Sequence, residues 1–340
     1  MNEYPMHRKC TNLKLWKRVC GFRALLFLAA VSACPFPAGA PASAESIGTP
    51  IHVSFSSGMF AEVHENDVRA AMKVWAHVLS TEGGLPLAPE ISILNGTREI
   101  SSALSSKRFD AIALTTDEYY AVEKEMKSEQ VIVGSFDGHV TEEYLLLVHR
   151  ESGIERLADL RGRSIVMLNN QRMSLAAAWL DTLLTREGLG TASGSFGRVT
   201  RFNKLPLVIL PVFFRRSDAC LVHRRGFQTM AELNPQVSQR LKVLAVSPEV
   251  MPGGFFFRGD WSHPSKDKVI AEFGRIHLTA AGQHALTVFK SGNLMVCPIS
   301  ILKSAFELLE THRRLSAATR GPGGAEANPM SGKTAAQLKQ

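Results

Sequence analysis

The chain has 340 residues, 45% of them hydrophobic and 21% charged, with 39 Lys/Arg against 31 Asp/Glu. Six of those basic residues and one acid lie in the first 44, so most of the +8 net charge belongs to that segment, and no run of like charges remains to suggest a nucleic-acid tail. Three of the five cysteines (Cys10, Cys20 and Cys34) lie there too; Cys220 and Cys297, both in apolar surroundings, read as buried thiols rather than a disulfide scaffold, which leaves stability to a hydrophobic core.

Met1 to Ala44 has the three-part build of an export signal. Lys9, Lys14, Lys17, Arg18 and Arg23 give a cationic start, and the apolar run Ala24 to Val31 that follows is shorter than the roughly 20 residues of a membrane span. Two cleavage grammars stand side by side. Ala42-Ser43-Ala44 before Glu45 suits ordinary signal peptidase, giving a soluble periplasmic product, and Val31-Ser32-Ala33-Cys34 suits lipid attachment at Cys34.

Past a short linker, Ile51 to Phe55 alternates as a strand, and a helix capped by Asn66 or Asp67 follows, with Val68, Ala71, Met72, Trp75, Val78 and Leu79 on one apolar face. Strands at 91–94, 111–114 and 131–133 then alternate with helices at 97–104 and from Thr115. Tyr144 to Val148 reads as a buried strand and opens a second series. Its strands lie at 164–168, 198–202, 219–222 and 241–246, and its helices at about 174–187, 205–214 and 227–233. Such alternation predicts an α/β fold with mostly parallel sheets. After the turn-rich Ser247-Pro to Gly254 and the strand Phe255 to Phe257, the pattern is mainly helical to about Arg314, and residues 316–340 read as a disordered tail.

Several phrases carry a family likeness: Asn66-Asp-Val-Arg-Ala-Ala-Met-Lys-Val-Trp75, Asp110-Ala-Ile-Ala-Leu-Thr-Thr-Asp-Glu-Tyr119, Ser152-Gly-Ile with Leu157-Ala-Asp-Leu-Arg-Gly162, Asp218-Ala-Cys, and Ser247-Pro with Pro252-Gly-Gly254. In this order, from about Ile51 to Leu315, they resemble the phosphate/phosphite/phosphonate-binding components of ABC transporters, members of the type II periplasmic-binding-protein fold. The resemblance implies two lobes joined by two crossovers. Residues 45–148 plus 255–315 would form a discontinuous first lobe and 149–246 the second, with 247–254 as the second hinge, where Pro248, Pro252, Gly253 and Gly254 are suited to hinge motion. It further implies an exported, monomeric receptor that hands a small anionic ligand to a permease and its ATPase, with a ligand-sensing module of the same fold as the alternative.

Strand carboxyl ends that feed helix N-termini present unpaired N–H groups and bind anions readily. Ser56-Ser57 to His64, Thr115 to Tyr119 and Asn169 to Ser174 are three such junctions. From them the expected ligand residues are Ser57, Thr115, Gln171, Arg172 and Ser174. The resemblance adds Thr116 and Tyr119, the types matching the hydroxyls and aromatic that the family places at this loop, and Asp218, matched to an aspartate beside the family's cleft. Thr115 to Glu118 also fits a plain capping box, and Arg172 is the one candidate able to grip an anion with two donors. No Gly-x-Ser-x-Gly elbow, Cys-x-x-Cys, His-Glu-x-x-His or phosphate loop is present, so the sequence favours neither an enzyme, a metal site nor a cofactor.

Overall fold

The computed structural model describes residues 49–320, apart from 61, 62, 64, 82, 89, 136, 137, 289 and 290. The expected export signal, its two cleavage sites, His64 and the tail beyond Arg320 lie outside the described residues. Among the described residues there are eleven strands: β1 (Val53–Ser56), β2 (Ser92–Leu94), β3 (Ala111–Thr115), β4 (Gln130–Ser135), β5 (Tyr144–His149), β6 (Ser164–Leu168), β7 (Arg198–Phe202), β8 (Ala219–His223), β9 (Leu241–Val246), β10 (Gly253–Phe257) and β11 (Asn293–Pro298). The helices are α1 (Glu65–Thr81), α2 (Gly96–Ser105), α3 (Thr116–Met126), α4 (Ala176–Arg186), α5 (Ala192–Ser195), α6 (Leu205–Phe213), α7 (Arg224–Leu233), α8 (Gln236–Arg240), α9 (Lys266–Arg275), α10 (Ala280–Val288) and α11 (Lys303–Arg320).

The chain divides into two compact units. The first holds the described residues through Glu142, Asn170–Ser174 and Met251–Leu302; the second holds Glu143–Asn169, Leu175–Val250 and the chain from Lys303. The first unit is built on a six-stranded sheet of order β11-β4-β10-β3-β1-β2 and the second on a five-stranded sheet of order β7-β6-β8-β5-β9. In each, the strands that alternate with helices run parallel, as β1 with β2 and β3, and β6 with β7 and β8. The strand that enters each sheet from the other unit runs against its neighbours: β10 between β3 and β4, β5 between β8 and β9.

Five expectations are corrected. Tyr144 to Val148 pairs entirely within the second sheet, so the first unit ends near Glu142. Helix α11 packs on α4 and sends the Ser304 hydroxyl to the Glu249 carbonyl at 2.7 Å, which places 303–315 in the second unit and adds a further passage of the chain between units. The expected disordered tail begins as the last turn of that helix, through Arg320. Gly253 and Gly254 are strand residues rather than a hinge: a Cβ on Gly253 would meet the Leu114 carbonyl at 2.7 Å, and one on Gly254 would meet Val131 Cγ2 at 2.5 Å, so glycine is required for β10 to squeeze between its neighbours. The expectation of two free thiols holds for Cys220, which is buried and has its thiol pKa pushed up by desolvation; Cys297 is disulfide-bonded.

The core of the first unit is aromatic. Phe255 and Phe257, two apart on β10, face the side where Phe55, Trp75 and Phe273 pack, while Phe256 faces the other side. Trp75 meets Phe273 edge-on at 4.9 Å and Phe55 at 5.6 Å. The second unit is held by aliphatic strands, with every residue of β5 and β8 buried.

Candidate functional site

The segment Asn170 to Ser174 returns to the first unit as a single pinned turn. Asn170 caps it, its side-chain oxygen accepting from the Met173 N–H at 3.2 Å, and at the far end the Ser174 hydroxyl donates to the Pro252 carbonyl at 2.8 Å. Held between those bonds, Gln171 and Arg172 present their side chains to the first unit. The Gln171 amide lies 3.9 Å from the Met59 sulfur, and the Arg172 guanidinium lies 3.5 Å from the Glu142 carboxylate, with only 17% and 8% of those two charged side chains exposed.

Both residues border a cavity of about 120 Å³ inside this unit. Its inner wall is Phe55, Trp75, Phe255 and Phe273, all buried, and its outer wall carries the more exposed Met59, His139, Gln171, Arg172 and Ser291. Polarity therefore runs in one direction, from an aromatic floor to a mouth that holds one cation, one anion and several hydrogen-bonding groups. A site so graded takes an amphipathic small molecule more readily than a bare ion.

The other expected residues are placed differently. Thr115 forms the capping box: Glu118 accepts from the Thr115 N–H at 3.0 Å and its hydroxyl at 2.9 Å, and the Ser56 hydroxyl donates to the same carboxylate. Burial pushes the Glu118 carboxyl above its usual pKa, against the pull of those hydrogen bonds. Thr116 is fully buried; its hydroxyl donates to the Met251 carbonyl at 2.6 Å and its N–H to the Pro252 carbonyl at 2.9 Å. Thr116 and Ser174 thus converge on Pro252 and fix the wall beside Arg172. Ser57 is exposed and opens the 3₁₀ turn Ser57–Phe60.

Two placements correct the expected site. Tyr119 is 1% exposed and stacked flat on Phe256 at 4.0 Å, a core ring on the face of β10 opposite Phe255. Asp218 stands at the amino end of β8, not at a strand carboxyl end. There it accepts from the Ser164 N–H at 2.8 Å and hydroxyl at 2.7 Å, tying β8 to the start of β6. Burial works against ionisation of Asp218, but the Ser164 bonds and the Arg163 guanidinium outweigh it and hold the carboxyl below its usual pKa. Glu142 and the aromatic floor were not among the expected residues. Trp75 was visible only as one member of an apolar helix face, and nothing local marks Glu142.

Two discontinuous α/β units, each closed by a strand that enters against the run of its sheet, are the organisation of a type II periplasmic binding protein. Residues 58–294 match the family described as "ABC transporter, phosphonate, periplasmic substrate-binding protein", and the chain belongs to that family. It is a transport receptor rather than an enzyme, acting outside the cytoplasm on a small ligand and serving an ABC permease and its ATPase. No curated protein matches the chain. Among solved structures it is similar to XAC2383 from Xanthomonas citri bound to ATP, at 16% identity over 79% of this chain and 98% of that one, with a TM-score of 0.56. A binding protein component of an ABC phosphonate transporter from Pseudomonas aeruginosa gives 14% identity, 81% and 91% coverage and a TM-score of 0.52. PhnD1 from Prochlorococcus marinus in complex with methylphosphonate gives 11% identity, 78% and 98% coverage and a TM-score of 0.51. At these identities the likeness is one of fold.

Proposed function

We propose that the ligand is a small organic anion of the phosphonate class, whose charged group meets Arg172 and Gln171 at the mouth of the first unit's cavity. The observation that carries this reading is the half-buried guanidinium of Arg172, held by a pinned turn and aimed beside a cavity rather than into solvent. A guanidinium suits planar or tetrahedral oxyanions because it offers paired donors, and its partial desolvation strengthens each bond. Glu142 orients the guanidinium and offsets its charge, so a singly charged head group is compensated better than a doubly charged one. The methylphosphonate bound to the Prochlorococcus marinus relative supports the class. Thr116 and Ser174 act by fixing Pro252, and Ser57 stands at the exposed end of β1.

A thermal-shift screen with inorganic phosphate, phosphonates, sulfate, carboxylates and amines tests this reading, since a ligand of the folded state raises the midpoint. Phosphonates should raise it, and in calorimetry Arg172→Gln should weaken them by about tenfold to a hundredfold, the size of a lost charge-assisted hydrogen bond. Stabilisation by amines alone, or unchanged phosphonate affinity in the variant, contradicts it.

The same reading extends to processing. The mature chain begins at Glu45, is soluble and is monomeric, and with Cys10, Cys20 and Cys34 removed it no longer carries the disulfide of Cys297; intact mass spectrometry of the envelope fraction checks the first residue, and a diacylated Cys34 terminus would instead establish the anchored form.

A further inference from the structure

The geometry points to a selectivity pocket for an apolar tail: the aromatic floor behind Arg172 accepts a phenyl group or a short branched alkyl chain, so the preferred ligand is an aryl- or alkylphosphonate rather than inorganic phosphate or methylphosphonate. This rests on the proposed reading of the head group, and adds to it what lies behind the head.

Three observations carry it. The first is size: the cavity measures about 120 Å³, close to the roughly 150 Å³ of an apolar protein cavity that stays dry and takes up benzene. The second is its lining. Phe55, Trp75, Phe255, Phe273 and Leu286 are at most 8% exposed, so the floor offers ring faces and a branched chain where water would find few partners. The third is its limits. On the sheet side Ala113 offers only a methyl group, and over Gly134 the Ser291 hydroxyl closes the wall, within 2.5 Å of where a Cβ would stand. A methyl group leaves most of such a cavity empty, and the contacts its lining then lacks are forfeited. A phenyl ring fills it.

Burying a ring on this floor removes apolar surface from water in proportion to its area, which predicts that phenylphosphonate binds the full mature protein about tenfold or more tightly than methylphosphonate. Calorimetry with inorganic phosphate, methylphosphonate, propylphosphonate and phenylphosphonate should give affinities that rise in that order. Ala113→Leu, which grows a branched chain into the cavity, should abolish the preference for phenyl over methyl, with circular dichroism confirming that it folds. If that variant does not fold, the wild-type order alone decides. Methylphosphonate binding as tightly as phenylphosphonate, or a preference that survives in a folded Ala113→Leu protein, overturns the tail pocket and leaves the phosphonate reading intact. If no phosphonate binds while benzyl alcohol raises the melting midpoint, the head-group reading fails and this inference fails with it, because the cavity then serves a ligand without an acid.

Discussion

The two units bury their sheets with different side chains, and the difference accounts for the cavity in the first. In the second unit β5 and β8 present Leu145, Leu146, Leu147, Val148, Leu221 and Val222, all at 0% exposure, and branched aliphatic chains of this kind interdigitate until little space remains. In the first unit Trp75 meets its neighbours Phe55 and Phe273 at 80° and 90°. Rigid rings in edge-on contact gain from their quadrupoles but cannot deform to fill what lies between them. A cavity bordered by rings is therefore stable as a cavity, whereas a void among leucines would close by rotamer changes. In the proposed reading the first unit supplies the selective space.

The contrast breaks most visibly at the mouth of the cavity. Arg172 does not stand in solvent but pairs with Glu142, so Arg172→Ala should lower unfolding free energy by about 3 kcal/mol even without ligand, by leaving a buried carboxylate without its guanidinium. Urea denaturation of Arg172→Ala, Glu142→Gln and the double variant should show the double mutant losing less than the sum of the singles. A neutral Arg172→Ala would mean the pair is solvated and the site loses its most specific group.

Filled and unfilled packing separate next. Leu146→Ala in the second unit should cost about 3 kcal/mol, since its side chain is fully buried and truncating it leaves a cavity in the sheet. Gly254→Ala should cost about 1–2 kcal/mol, because its Cβ meets Val131 at 2.5 Å and the Ile132 carbonyl at 3.0 Å and either strand must shift. A cost below about 0.5 kcal/mol for Leu146→Ala would erase the distinction drawn between the cores.

The smallest effect is a pH dependence confined to the second unit. His149 is buried, and its Nδ1 accepts from the Glu151 N–H at 3.1 Å, which only the neutral ring can do. Burial lowers its pKa from the ordinary 6.5, with the nearby Glu151 opposing and Arg215 and Arg240 reinforcing the shift. A folded value below the unfolded one means that its contribution is complete above 6.5 and is lost as the pH falls below it. His149→Asn keeps an acceptor at the cap without titrating, so its stability should fall less than the wild type's between about pH 6.5 and pH 5. Parallel curves for the two proteins would remove His149 from the account. Asp218, whose pKa is also lowered, acts only at more acid pH, below its ordinary 3.8.

The sequence was legible where periodicity decides and illegible where distant segments meet. Strands such as Ser164–Leu168 and Arg198–Phe202 sit where alternation and turn residues put them, and even the proline-interrupted α6 forms, because Val208, Ile209, Val212 and Phe213 make a buried face that outweighs Pro211. β11 was read as helix because Asn293–Pro298 is a partly exposed edge strand with neither alternation nor a long apolar run. Arg172 and Gln171 were legible as side-chain donors at a turn. Glu142 was not, since its role depends on a turn thirty residues later returning to the first unit. Tyr119 read as a binding aromatic and proves to be a core ring, because the residue it stacks on, Phe256, lies far along the chain.

Proximity between bound ligand and Trp75 tests the central claim most directly. With phenylphosphonate bound to the mature protein, nuclear Overhauser effects should connect the ligand's ring protons to the Trp75 indole and the Phe273 ring, at the floor of the cavity. Effects confined to residues of the second unit, or none to either ring from a saturating ligand, would contradict the account and place the ligand elsewhere.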